Sequence, residues 1–164
     1  MTKTILITGT TSGFGKSIAE RFAAEGWNLI LIGRRSDRLM AISAKLGEKV
    51  TVLPITLDIR QRQAVMETLT NLPEKFKAVD VLVNNAGLAA GLEPAQSADL
   101  DDWDAMVDTN IKGLMYVTRA ILPGMVTRNA GHIINIGSVA GSYPYEGGNI
   151  YGATKAFVAQ FSRN

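Results

Sequence analysis

Short apolar runs rich in β-branched residues alternate along the chain with longer segments of helical periodicity. The runs are too short for helices and are typical of buried strands. A turn follows the first run, and then apolar residues such as Ile18, Ala19 and Phe22 recur at helical spacing. This alternation predicts a doubly wound parallel sheet with helices on both faces, an α/β fold of three layers. The predicted strands are Thr4–Ile7, Asn28–Ile32, Val50–Leu57, Val79–Val83 and Ile133–Ile136.

The bulk properties indicate a single globular domain spanning residues 1–164. The net charge is only +2 and the basic residues are scattered, so no nucleic-acid surface is predicted. The chain has no cysteine, and its one histidine, His132, has no ligating neighbours, so no metal site is predicted. We expect His132 to be partly buried at the start of the fifth strand. No secretion signal or membrane span is visible, and a cytoplasmic protein is expected.

A glycine-rich turn, TGTTSGFG (8–15), joins the first strand to the first helix. In this context the first glycine permits a tight turn, the second lets the backbone approach a pyrophosphate, and the third lets helix and strand pack closely. Free N–H groups at the helix N-terminus also favour an anion. A plain strand–turn–helix connection is the alternative, but the context favours dinucleotide binding. The predicted contacts are Gly9, Thr11, Ser12, Gly13, Phe14 and Gly15.

Two arginines, Arg34 and Arg35, follow the second strand. Sites for NAD usually carry an acidic residue here, which binds the ribose 2′-hydroxyl. The planar fork of arginine instead suits the 2′-phosphate of NADP. The sequence therefore predicts NADP, with Arg34 as the preferred phosphate contact. The alternative is that both arginines simply begin the solvated helix Ser36–Leu46.

The third and fourth strands end in residues that could line the same groove. Asp58 could accept a hydrogen bond from the adenine amino group and could equally cap a helix beginning near Arg60, and these two roles are compatible with each other. The segment NNAG (84–87) offers small residues and side-chain amides, which suit a cofactor groove. The residues predicted to contact the cofactor here are Asp58, Ile59, Asn85, Ala86 and Gly87.

A long helical pattern covers residues 103–128 and contains two irregular features. Pro123 is expected to bend or interrupt the helix. Asn110 lies mid-helix, where asparagine competes for backbone hydrogen bonds, so we predict a local kink with a functional role. A surface-facing Asn110 is the alternative. Asp99 or Asp101 is expected to cap this helix.

Tyr151 and Lys155 lie four residues apart on a helix predicted after the fifth strand. This spacing places both side chains on one helical face, within reach of a shared ligand. A nearby ammonium favours the phenolate, so the tyrosine can give and retrieve a proton. Ser138, at the carboxyl end of the fifth strand, could hydrogen-bond the oxygen that Tyr151 protonates. Taken alone, such a Tyr/Lys pair is usually an ordinary pair on an amphipathic helix.

Together these motifs resemble the short-chain dehydrogenase/reductase family over essentially the whole chain. The resemblance implies a Rossmann-type oxidoreductase in which Tyr151 exchanges a proton with the substrate and Ser138 orients the carbonyl. Lys155 would favour the phenolate and bind the nicotinamide ribose, and Asn110 would hold a water in the proton relay. The segments that carry the resemblance are TGTTSGFG (8–15), NNAG (84–87), Asn110, Ser138 and YGATK (151–155).

Three longer segments, 82–95, 118–145 and 147–162, are similar to the NADP-dependent 3-hydroxy acid dehydrogenases. Members of that group act on serine or allo-threonine and reduce malonic semialdehyde. The resemblance therefore implies NADP as cofactor and a short 3-hydroxy acid, such as 3-hydroxypropionate, or its carbonyl counterpart as substrate. It also implies a homo-oligomer, either a dimer or a tetramer, for the full-length form.

Family members continue well past the Tyr/Lys helix, whereas this sequence stops at Asn164. We therefore expect an incomplete portion of a longer protein, in which the fifth strand has an open edge. The alternative is a non-catalytic fragment that binds the dinucleotide without turning over a substrate.

Overall fold

The computed structural model describes residues 2–164, which form a five-stranded parallel sheet. The order of strands across the sheet is β3-β2-β1-β4-β5. The chain runs outward from β1 to β3 and then crosses back to β4, so the strand order reverses beside β1. In open α/β sheets, ligands bind at the carboxyl ends of the strands at such a reversal. The strands are β1 (Thr4–Thr8), β2 (Asn28–Gly33), β3 (Val52–Thr56), β4 (Val81–Asn84) and β5 (His132–Asn135).

Helices connect the strands, which confirms the predicted doubly wound fold. Short 3₁₀ turns follow α3 and β5, at Glu74–Phe76 and Val139–Gly141. Within residues 2–164, every helix is too short or too polar to cross a membrane. The helices are α1 (Gly13–Ala24), α2 (Ser36–Gly47), α3 (Arg62–Thr70), α4 (Leu100–Val107), α5 (Leu114–Arg128) and α6 (Asn149–Phe161).

Two hydrophobic clusters cover the two faces of the sheet. Successive side chains of a strand point to opposite faces, so Leu6 packs with α3 and α5, whereas Ile5 and Ile7 pack with α1 and α2. All residues of β1 and β2 are buried. Burial on both faces is the reason that these strands are continuous apolar runs instead of alternating ones.

The helix predicted over residues 103–128 is divided by a π-helical segment, Asp108–Gly113. Asn110 lies inside this segment with 2% of its surface exposed, so the predicted kink is confirmed and the surface-facing alternative is wrong. Asp99 caps α4 by accepting a hydrogen bond from the backbone N–H of Asp101 at 2.9 Å.

Helix α5 is not interrupted at Pro123, because Val117, Ile121 and Met125 are buried on either side of the proline and hold the helix against the sheet. The partial burial expected of His132 was wrong. His132 is exposed, not partly buried, because β5 lies at the edge of the sheet and pairs only with β4.

We expect Gly15→Ala to destabilise the fold by about 2 kcal/mol or more. A Cβ at this position would lie 2.3 Å from the carbonyl oxygen of Gly9, a backbone atom that has little freedom to move away. Gly47→Ala is the matched control, because a Cβ there has no neighbour within 4 Å and alanine favours the helix. Urea unfolding of both variants measures the difference, and equal midpoints would contradict the packing argument.

Candidate active site

A cleft of about 880 Å³ lies across the carboxyl ends of the strands. This volume is within the usual range for sites that bind small molecules and cofactors. The turns after all five strands and helix α6 contribute to its walls. Of the residues predicted from the sequence, those that line the cleft are Gly9, Thr11, Ser12, Gly13, Phe14, Arg34, Arg35, Asp58, Ile59, Asn85, Ala86, Gly87, Ser138, Tyr151 and Lys155.

The turn between β1 and α1 has the geometry of an anion site. Gly9 and Gly13 have φ values of 72° and 54°, in the left-handed region that glycine adopts readily. Ser12 occupies the N-cap of α1 but its side chain accepts no hydrogen bond from the helix, so the first N–H groups of α1 keep no side-chain partner there. These groups and the positive end of the helix dipole suit a pyrophosphate. Gly15 lies outside the cleft lining and instead lets α1 approach Gly9 closely.

The side chain of Asn85 joins this turn to the end of β4. Its Nδ2 atom donates to the carbonyl oxygens of Thr8 at 2.8 Å and Gly9 at 3.1 Å. In return, the hydroxyl oxygen of Thr8 accepts from the backbone N–H groups of Asn85 at 3.1 Å and Ala86 at 3.0 Å. The sequence reasoning missed Thr8. A buried threonine at the end of a parallel strand, next to a glycine turn, is the signal that could have identified it.

The two arginines after β2 have different surroundings. Arg35 donates from Nη2 to the hydroxyl oxygens of Thr11 at 2.6 Å and Ser12 at 2.9 Å, and from Nε to Thr11 at 3.0 Å. The side chain of Arg34 makes no hydrogen bond within residues 2–164. Arg35 is therefore already attached to the glycine-rich turn, although the sequence favoured Arg34. Guanidinium and hydroxyl groups gathered here, without a carboxylate at the end of β2, fit a 2′-phosphate.

Asp58 is held by Arg60. The backbone N–H of Arg60 donates to Oδ1 at 3.1 Å, Nε donates to both carboxylate oxygens at 3.0 Å, and Nη2 donates to Oδ2 at 2.6 Å. Arg60 thereby lowers the pKa of Asp58, with a smaller contribution from the charge of Arg34. Helix α3 begins at Arg62, and its N-cap is Gln61. The predicted cap by Asp58 is therefore wrong, because its carboxylate binds the residue two positions on and turns the chain before the helix.

Tyr151 and Lys155 lie in the first turns of α6, as predicted. The Nζ atom of Lys155 is 5.8 Å from the centre of the Tyr151 ring and donates to the carbonyl oxygen of Ile136 at 2.8 Å. Only 8% of Lys155 is exposed, and burial lowers the pKa of its ammonium. One of its three N–H donors is used by Ile136, so the other two can serve a ligand in the cleft.

Asn110 does not line the cleft but braces residues that do. Its Oδ1 atom accepts from the N–H of Leu88 at 2.9 Å, and its Nδ2 atom donates to the carbonyl oxygen of Leu88 at 2.8 Å and the hydroxyl of Thr154 at 3.0 Å. The asparagine thus ties the loop after β4 to α6. A Cβ added to Gly87 would lie 3.1 Å from Oδ1 of Asn110 and 3.6 Å from Nζ of Lys155. Thr154, fully buried, is a second positioning residue that the sequence reasoning missed.

Ser138 lies three residues after the end of β5 and immediately precedes the 3₁₀ turn Val139–Gly141. Its hydroxyl oxygen accepts from the backbone N–H of Ala140 at 3.2 Å, and the residue is exposed at the cleft beside Tyr151. Because a hydroxyl can accept one hydrogen bond while it donates another, Ser138 keeps its O–H for a ligand.

The model of the family described as "short chain dehydrogenase" matches residues 3–164. The chain belongs to this family. It is 60% identical over 160 residues to the NADP-dependent 3-hydroxy acid dehydrogenase YdfG of Salmonella typhi, and this match covers 98% of the chain and 64% of the relative. It is 53% identical over 165 residues to the sulfoacetaldehyde reductase 2 of Chromohalobacter salexigens, with 100% of the chain and 66% of the relative covered.

A solved structure agrees with the sequence matches. The short chain dehydrogenase fold described above superposes on the closed form of a serine dehydrogenase complexed with NADP⁺ with a TM-score of 0.93. The two are 56% identical, and the match covers 98% of this chain and 64% of the other. This chain therefore spans just under two thirds of the length of the relatives that it matches.

We expect the buried Lys155 to make stability depend on pH. Burial lowers the pKa of Lys155 in the folded state, so in the alkaline range the unfolded chain binds more protons than the folded protein. The free energy of unfolding therefore rises as the pH approaches the pKa of lysine in the unfolded chain, about 10.4. Lys155→Met lacks this group. The unfolding free energy of the wild type relative to this variant should therefore increase between pH 7 and pH 10.5 in urea titrations. A difference that is constant or falls with pH would contradict the expectation.

Proposed function

We propose that this protein is an NADP-dependent oxidoreductase that transfers hydride between NADP(H) and a short 3-hydroxy acid or its carbonyl counterpart. The observation that carries the proposal is the set of residues that line the cleft. A glycine-rich anion turn with Arg35 lies on one side of the β1/β4 pair, and Tyr151 with Lys155 lies on the other. Relatives described as an NADP-dependent 3-hydroxy acid dehydrogenase and as a serine dehydrogenase complexed with NADP⁺ support it.

We assign the parts of the cleft to parts of the dinucleotide. The turn Gly9–Gly15 would hold the pyrophosphate, and Arg34 and Arg35 would hold the 2′-phosphate. Asp58 and Ile59 would contact the adenine. Lys155 would donate to the nicotinamide ribose, since its ammonium keeps two free donors. The cofactor supplies the hydride in reduction and accepts it in oxidation.

We assign the role of proton donor and acceptor to Tyr151. In carbonyl reduction its O–H bond breaks and the proton goes to the substrate oxygen, and in alcohol oxidation the phenolate takes the hydroxyl proton back. The ammonium of Lys155 stabilises the phenolate electrostatically. The hydroxyl of Ser138 donates to the same substrate oxygen and so orients it. Asn110 and Thr154 fix the position of α6 relative to the loop after β4.

A module that binds the dinucleotide without turnover is the second candidate. The observation that favours it is the exposure to solvent of Ser138, which lines the cleft. A site that does not exclude water is a poor place for hydride transfer. Oxidation of NADPH by malonic semialdehyde separates the two candidates, because only the enzyme consumes NADPH.

We further propose that residues 1–164 form one dinucleotide-binding domain of a homo-oligomer, a dimer or a tetramer, in the cytoplasm. Support for an interface comes from α5, where Met115, Leu122 and Val126 are 40%, 40% and 69% exposed. Their spacing places them near one another on one helical face. Exposed apolar clusters of this kind mark contact surfaces between proteins.

Tyr151→Phe is expected to lower turnover at least about a thousandfold, because the variant has no proton to exchange. The affinity for NADP⁺, measured by calorimetry, should remain within about twofold, since the ring and its helix are unchanged. Tyr143→Phe is the matched control, because Tyr143 is exposed and does not line the cleft. Retained NADPH oxidation in Tyr151→Phe would refute the assignment of the proton donor.

Arg34→Asp is expected to lower the ratio of NADP⁺ affinity to NAD⁺ affinity about tenfold or more, since the charge that faces the 2′-phosphate is reversed. Arg38→Asp is the control for net charge, because Arg38 is exposed on α2 and lies outside the cleft lining. Calorimetric titration with both dinucleotides measures the ratio. An unchanged ratio in Arg34→Asp together with a lowered one in Arg35→Ala would transfer the phosphate contact to Arg35.

A further inference from the structure

Arg60 is a residue of the cleft for which neither the sequence motifs nor the proposed reaction provides a role. It donates four hydrogen bonds to the carboxylate of Asp58, two to each oxygen. The backbone N–H and Nε bind Oδ1 at 3.1 and 3.0 Å, and Nε and Nη2 bind Oδ2 at 3.0 and 2.6 Å. An ionised carboxylate offers about four acceptor sites, so Arg60 occupies the whole hydrogen-bonding capacity of Asp58.

The negative charge of Asp58 lies close to the place assigned to the 2′-phosphate. Strands β2 and β3 are adjacent and parallel, and the N–H of Leu57 donates to the carbonyl oxygen of Gly33 at 3.1 Å. Arg34 and Asp58 are the residues that directly follow this hydrogen-bonded pair, and both line the cleft. The charge of Arg34 contributes to the lowered pKa of Asp58, which agrees with their proximity.

An uncompensated carboxylate at this place would oppose the binding of a 2′-phosphate in two ways. It would repel the phosphate, and because it is only 25% exposed, salt and water would screen the repulsion incompletely. It would also compete with the phosphate for Arg34, an exposed residue whose guanidinium makes no hydrogen bond within residues 2–164. Arg60 removes both effects, because it neutralises the charge of Asp58 and fills its acceptor sites.

We propose that Arg60 is a positioning residue for cofactor selectivity, which neutralises and saturates Asp58 so that Arg34 stays available for the 2′-phosphate. Arg60 thereby favours NADP(H) over NAD(H) without any contact to the phosphate. This inference rests on the proposed binding of NADP(H) in the cleft. A direct hydrogen bond from Arg60 to the 2′-phosphate is the competing role for the same side chain.

The test measures the dissociation constants of NADP⁺ and NAD⁺ by calorimetry and takes the ratio of the NAD⁺ constant to the NADP⁺ constant. The two dinucleotides differ only in the 2′-phosphate, so changes in the contacts to the shared adenine and pyrophosphate cancel in this ratio. In Arg60→Gln the ratio should fall about tenfold or more, because Asp58 is then an unpaired anion beside Arg34.

The double variant Asp58→Asn/Arg60→Gln separates the two roles of Arg60. Without the carboxylate there is no charge for Arg60 to neutralise, so the ratio should return to within about twofold of the wild-type value. A direct contact to the phosphate predicts instead that the double variant keeps the low ratio of Arg60→Gln. Asp58→Asn alone should leave the ratio unchanged or raise it, since the substitution removes a negative charge.

Arg62→Gln is the matched control for the loss of one positive charge. Arg62 is an exposed arginine in the first turn of α3 and lies outside the cleft lining, so the ratio should remain unchanged. Thermal unfolding of each variant verifies that the fold is intact.

Two outcomes would overturn the inference. The ratio in Arg60→Gln could equal that of the wild type, or the double variant could fail to restore it. In both cases the wild type would still prefer NADP⁺, and the proposed function would stand. A wild type that does not bind NADP⁺, or that binds NAD⁺ equally well, would instead contradict the proposed function itself.

Discussion

The hydrogen bonds between Asn85 and the end of β1 are the interaction on which the rest of the site depends. One side-chain amide donates to two consecutive carbonyl oxygens, Thr8 and Gly9, at the point where the strand becomes the glycine-rich turn. Thr8 is buried, and a buried carbonyl without a partner is costly. The amide therefore stabilises both the turn and the end of β4 from which it projects.

A continuous set of contacts leads from this amide to helix α6. Gly87, two residues further on, lies so close to Asn110 that an added Cβ would be 3.1 Å from its Oδ1 atom. Asn110 in turn binds Leu88 and Thr154, and Thr154 is adjacent to Lys155 on α6. The residues assigned to the cofactor phosphates and the residues assigned to proton transfer are thus connected by one set of contacts. Asn110 lies in the π-helical segment Asp108–Gly113, a distortion that is frequent at functional sites.

The sequence predicted the sheet, its helices and most of the residues that line the cleft, because buried parallel strands and glycine-rich turns leave strong local patterns. It preferred Arg34 as the phosphate contact and did not predict the hydrogen bonds of Arg35, since the hydroxyls that bind Arg35 lie more than twenty residues away in the chain. It offered Asp58 as an adenine contact and as a helix cap, and the ion pair with Arg60 became visible only with side chains in place. It also expected Pro123 to bend or interrupt α5, but tertiary packing keeps the helix continuous there.

The positions of charge in the cleft lead to one picture of the bound state. Arginines and the free N–H groups of α1 lie on one side of the β1/β4 pair, and the buried ammonium of Lys155 lies on the other. A dinucleotide extended across the carboxyl ends of the strands would contact both groups of donors. Its phosphates would lie at the arginines and the N–H groups of α1, and its nicotinamide ribose would lie at Lys155.

A crystal structure of the protein with NADP⁺ tests this picture most directly. The account predicts the 2′-phosphate within hydrogen-bond distance of Arg34 or Arg35, and the nicotinamide ribose within hydrogen-bond distance of Lys155. A dinucleotide bound in the reverse direction, or outside the cleft at the carboxyl ends of the strands, would contradict it.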